Sequence, residues 1–113
     1  MQEELDKKYY KISQVADILG IPQSTLRYWE GRFTIIKPRR TDGGTRYYTP
    51  ADIEKIRMVY YLVKERGIKL DAAQDMIRHN HSGVSKRFEV VERLKSIRMQ
   101  LTRLLAAIDA GHR

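Results

Sequence analysis

The chain is expected to be mostly α, a winged helix-turn-helix with a short β-hairpin wing followed by a long C-terminal coiled-coil helix. Three features predict it. Two short helical patterns meet at Gly20, a basic run turns at Asp42-Gly43-Gly44, and apolar residues recur from Val90 to Ile108 at alternating steps of four and three. With 113 residues, a net charge of +8 and 42% apolar residues, one small core plus an appendage is affordable, and two independent cores are not.

The first helix is read in Ser13-Gln14-Val15-Ala16-Asp17-Ile18-Leu19, with Ser13 as cap, Val15, Ala16, Ile18 and Leu19 as the apolar face and Gly20 as the stop. Pro22 in a first helical turn lacks only an N–H that would be unpaired there, so a second helix is expected from about Pro22 to about Glu30. After Phe33 the pattern turns extended. Ile35-Ile36-Lys37-Pro38 and Arg46-Tyr47-Tyr48 flank the glycine turn, whose positive φ glycine adopts at little cost. Thr49-Pro50-Ala51-Asp52 reads as a helix start, with Thr49 as cap and Asp52 near the positive end of the dipole. Ile53, Ile56, Val59, Tyr60 and Val63 carry that third helix to about Gly67, and a fourth is expected over about Leu70 to Ile77.

The expected divisions are an N-terminal tail over 1–8, a winged-helix unit over 9–78, a polar linker over 79–84 and a dimerisation helix over 85–113. In the last helix Val90, Leu94, Ile97, Leu101, Leu104 and Ile108 form a heptad seam about 28 Å long at 1.5 Å per residue, which Val91 and Leu105 widen.

Composition narrows the functions. Between Arg27 and Tyr48 six basic residues face two acidic ones, which suits a polyanion better than a packed core. No apolar run is long enough to span a bilayer, and the start lacks the apolar stretch of a signal peptide, so a cytoplasmic protein with no membrane partner is expected. With no cysteine there is no disulfide, thiolate catalysis or thiolate metal site. His79 and His81 have no third ligand in sight, so neither metal nor cofactor is expected. No catalytic arrangement of histidine, serine or carboxylate is recognisable, and Gly43-Gly44 is too short to cradle phosphate, so an enzyme is not expected.

The best candidate contact is Arg27, whose guanidinium can bond bidentately to guanine or clamp a phosphate. Gln23, Ser24 and Thr25 lie in the first turn of the same helix, where both a capping role and a reach to bases or phosphate stay open. Tyr28 offers a hydroxyl to phosphate, whereas Trp29 reads as core. Arg39 and Arg40 are phosphate candidates on the wing, and Arg46 on its returning strand is a further DNA-contact candidate. Tyr47 and Tyr48 must alternate faces, one inward and one outward, and the sequence does not say which.

Taken together, Leu26-Arg27-Tyr28-Trp29-Glu30, Pro38-Arg39, Gly43-Gly44-Thr45-Arg46-Tyr47-Tyr48 and Gly67-Ile68-Lys69-Leu70 resemble the MerR family of transcriptional regulators, over roughly Tyr10 to Ile77. Trp29-Glu30 with Arg32-Phe33 looks most like the branch whose longer members carry a cobalamin-binding light sensor. The resemblance implies a homodimer joined by an antiparallel coiled coil of the last helices, a recognition helix in each major groove and wings on the flanking backbone. It also implies binding to double-stranded DNA between two promoter elements, with the duplex bent and untwisted so that RNA polymerase engages both. Pro22 and Lys69 depart from the family's commoner serines, and Lys69 places a cation near a helix start where a phosphate would offset it. No sensor domain is expected within these residues, and the metal- and redox-sensing branches need cysteines absent here. The competing expectation is an architectural DNA-bending factor of the excisionase type, against which the heptad seam argues by supplying a symmetric dimer and hence a palindromic site.

Overall fold

The computed structural model describes residues 8–111, so most of the expected N-terminal tail and the last two residues of the expected dimerisation helix lie outside the described residues. The elements are β1 (Tyr10–Lys11), α1 (Ile12–Leu19), α2 (Gln23–Arg32), β2 (Arg39–Arg40), β3 (Arg46–Tyr48), α3 (Pro50–Tyr60), a π-turn (Tyr61–Glu65) and α4 (Leu70–Gly111). The expected mostly α architecture, a hairpin wing and a long last helix are all present, but the first wing strand is Arg39–Arg40 and not Ile35-Ile36-Lys37-Pro38, because the chain turns there, with the Ile36 N–H on the Phe33 carbonyl.

The helix starts show where tertiary pairing overrides local signals. Ser13 lies inside α1 and does not cap it; Lys11 holds the cap position, and its N–H donates to Gln14 Oε1 at 2.9 Å. The cause is β1, a strand with no periodicity of its own in the sequence: Tyr10 pairs with Tyr48 and Lys11 with Tyr47, so the chain leaves extended geometry two residues before Ser13. Pro22 likewise precedes α2, where its carbonyl accepts from the N–H groups of Thr25 and Leu26, and α2 runs on to Arg32. Gly20 does end α1, at φ 67°, with its N–H on the Ala16 carbonyl.

The Thr49 start is as expected. Thr49 Oγ1 accepts from the Asp52 N–H at 3.2 Å, and Asp52 Oδ2 accepts from the Thr49 N–H at 2.9 Å, a reciprocal capping box with Pro50 in the first turn. At the far end α3 widens into the π-turn, in which the Arg66 N–H reaches back to the Tyr61 carbonyl. That turn buries Leu62 and sets the Tyr61 ring against Phe88, with ring centroids 5.9 Å apart.

The core gathers Val15, Leu26, Trp29, Phe33, Tyr48, Ile53, Ile56 and Val59 beneath the small sheet, whose strand order is β1-β3-β2. The linker expected over 79–84 narrows to one residue. Only Asn80, at φ −149° and ψ 58°, leaves helical geometry within α4. Its Oδ1 accepts from the Gly83 N–H at 3.2 Å, the bond of a helix N-cap, so Asn80 ends one helical segment and starts the next. A Cβ at residue 83 would collide with the Asn80 amide, which accounts for glycine there.

Past Phe88 the helix leaves the core. Lys95 Nζ still bonds Glu65 at the end of the π-turn, at 2.6 Å, but Val90, Leu94, Ile97, Leu101, Leu104 and Ile108 stay 47 to 60% exposed in the single chain.

Candidate nucleic-acid interface

Helix α2 buries Leu26 and Trp29 and turns Ser24, Arg27 and Tyr28 outward, while Gln23 and Thr25 are half-buried. Spacing of three and four residues produces this division, since positions 26, 29 and 33 share one face. Phe33 at the C-terminal boundary completes the inner face, and Trp29 meets the rings of Phe33 and Tyr60 edge-on at 6.5 and 6.4 Å. Trp29 is therefore core, as expected. Among the described residues Arg27 makes only a long 3.4 Å bond from Nη2 to Gln23 Oε1, which leaves its guanidinium available to a ligand. The Arg32 guanidinium lies 5.8 Å from the Tyr28 ring centroid, holding the exposed ring beside a cation.

The wing is braced to this helix through one carboxylate. Glu30 Oε1 accepts from Arg40 Nη2 at 2.6 Å and Oε2 from Arg46 Nε at 2.5 Å. Burial pushes the Glu30 carboxyl up, but the two guanidinium bonds and their charges outweigh it and hold its pKa below the ordinary value. Arg40 and Arg46, both expected DNA contacts, are thus partly spent on an internal ion network, whereas Arg39 has no ion-pair partner among the described residues. Nothing in the composition pointed to Glu30 as the joint. The one local sign of that role is a lone acid on a basic helix ahead of a basic hairpin.

Strand register settles the tyrosine pair. Tyr48 pairs with buried Tyr10 and is fully enclosed, so it is withdrawn from the expected contact residues. Its phenol is pushed up to about 12, chiefly by burial and then by the Glu30 charge. Tyr47 occupies the opposite face beside Lys11 and Arg39, its ring 6.5 Å from that of Tyr9. At the wing tip Gly44 takes φ 81° and its N–H bonds the Thr41 carbonyl at 2.8 Å, closing the turn. Lys69 stands exposed at the start of α4, near Asp71, which forms an ion pair with Arg32 of α2. The exposed set is therefore Ser24, Arg27, Tyr28, Arg39, Arg40 and Lys69, with Gln23, Thr25, Arg46 and Tyr47 partly covered.

One prediction arises here. Glu30→Gln is expected to loosen the wing, raising amide exchange across residues 39–48 while α2 keeps its protection; equal exchange would show that strand pairing alone holds the wing. Because the folded pKa is lowered, the wild-type brace is complete above the ordinary value of 4.5 and is lost as pH falls through the lower folded value.

Residues 10–80 match the family profile described as MerR HTH family regulatory protein. The HTH-type transcriptional regulator MlrA of Salmonella typhimurium (strain LT2) is 34% identical over 73 residues, covering 65% of this chain and 30% of that protein. The putative heat shock protein HspR of Streptomyces coelicolor is 30% identical over 106 residues, covering 94% of this chain and 62% of that protein. Among solved structures, MtaN, the N-terminus of the Bacillus subtilis multidrug transporter activator, superposes with a TM-score of 0.56 at 27% identity, over 90% of this chain and 96% of that one. The chain thus spans less than two thirds of the length of the full-length relatives named here.

Proposed function

The chain belongs to the MerR family of helix-turn-helix regulatory proteins, and from that premise we propose that it is a sequence-reading, DNA-binding transcription regulator that works as a homodimer. The observation that carries the reading is the outward face of α2, where Ser24, Arg27 and Tyr28 stand exposed on a helix braced to a basic wing. Helix α2 enters the major groove, with Arg27 on a base edge and Gln23, Ser24 and Thr25 near its N-terminus on bases or phosphate. Arg39, with Tyr47 and the outer edges of Arg40 and Arg46, follows the flanking backbone, and Lys69 takes a further phosphate.

The exposed seam supports the dimer. A row of six large apolar side chains left in water is unfavourable for one chain and favourable when a second copy covers it. An antiparallel pairing of the two seams relates two α2 helices by a twofold axis, which calls for an inverted-repeat site. Bending and untwisting an overlong promoter spacer would cost a few kcal/mol, offset by added phosphate contacts, and would align both elements for RNA polymerase.

Arg27→Ala tests the base contact. It is expected to cost about 1–3 kcal/mol on the preferred site and much less on unrelated duplex, relaxing specificity at one position of each half-site. An equal loss on all sequences would make Arg27 a phosphate clamp. Arg39→Ala serves as the comparison, because a phosphate contact weakens binding uniformly and lowers the salt slope by about 1.

A further inference from the structure

Two backbone irregularities border one hollow. The π-turn and the segments on both sides of Asn80 line a half-open hollow of about 440 Å³, with Arg66 and Arg87 exposed beside it, a volume within the range of sites that hold small organic ligands. Its lining shares no residue with the proposed DNA contacts or with the heptad seam. Leu62, Met76 and Val84 supply apolar surface and Tyr61 an aromatic ring. Arg66 and Arg87 also line it, and neither has an ion-pair partner among the described residues, while Asp75 is the one carboxylate present. Two guanidinium cations against one carboxylate, with His79 also in an otherwise apolar and aromatic lining, favour an anionic ligand with an apolar body.

We propose that this hollow is a binding site for a small organic monoanion with an aromatic or branched apolar body, its acidic group held by Arg66 and Arg87. A planar guanidinium matches a carboxylate or sulfonate in a fork geometry, and such charge-assisted bonds are about twice as strong as neutral ones. The apolar body accounts for the rest of the lining. Because Met76 precedes Asn80 and Val84 and Arg87 follow it, a bound molecule touches both helical segments as well as the π-turn. π-turns are rare and recur at functional sites, in keeping with a ligand at this one.

The test uses the full chain without DNA, so its outcome is independent of the regulator reading. Naphthalene-1-carboxylate is titrated into isotopically labelled protein and followed by amide NMR, with the neutral naphthalene-1-methanol as its counterpart. The expected result is saturable binding of one molecule per chain, with shifts concentrated in residues 61–66 and 76–87. The alcohol, and the Arg66→Gln/Arg87→Gln variant titrated with the acid, are each expected to bind about tenfold more weakly, with the variant's spectrum outside the site unchanged. No saturable binding, equal affinity for the alcohol, undiminished binding by the variant, or shifts confined to the seam would each overturn the proposal.

Discussion

Leu101→Glu is expected to convert the proposed dimer into a monomer at micromolar concentration. Leu101 lies near the middle of the seam, is 54% exposed in the single chain and belongs to no part of the core cluster. Covering a leucine of this kind contributes about 1.5–3 kcal/mol. The substitution removes that from both copies and places two carboxylates in a drying interface, where unpaired charge is costly. A loss of about 3 kcal/mol or more raises the dimer Kd roughly a hundredfold. Sedimentation equilibrium reads the mass directly. Thermal unfolding of the winged-helix unit is expected to stay unchanged, so loss of the dimer and loss of the fold are told apart. Affinity for a two-half-site duplex falls with the mass, because each half then binds without the effective concentration supplied by the other. An unchanged mass would show that the seam is covered by something other than a second copy.

Trp29→Ala has the largest effect expected on the fold itself. The indole is 2% exposed and is held edge-on by Phe33 and Tyr60. Removing it takes away the apolar area and leaves a cavity that the core and its surrounding elements close only in part, at a cost of about 3–5 kcal/mol. A domain of this size has a total stability of roughly 5–15 kcal/mol, so much of its margin disappears. Urea unfolding measures the loss, expected as a lower midpoint with an unchanged slope. A loss under about 1 kcal/mol would mean that α2 is not anchored through Trp29.

The elements legible in the sequence were those whose signals are local. Thr49, Pro50 and Asp52 announce α3 because a capping box needs only four residues, and the heptad steps announce the last helix because periodicity is carried by the helix alone. The glycine turn of the wing was legible for the same reason. The elements missed depend on distant partners. A two-residue strand at Tyr10–Lys11 has no periodicity of its own and exists because β3 is there to pair with it. That pairing displaced Ser13 from the cap, a position its residue type otherwise favours. The polar composition of 79–84 suggested a linker, yet one asparagine cap is enough to join two helical segments without a loop. At the candidate interface, the basic and aromatic residues were visible from composition and spacing. Which of Tyr47 and Tyr48 faces outward, and that Glu30 ties Arg40 and Arg46 to α2, follow from strand register and tertiary contact and carry no local sign.

Selection of binding sites from random duplex DNA at near-physiological salt tests the central claim most directly. A homodimer reading sequence through α2 is expected to enrich an inverted repeat, its half-sites spaced by whole helical turns or held across a long promoter-like spacer. Direct repeats, or weak binding with no enriched sequence, would contradict the account and point to an architectural, DNA-bending role.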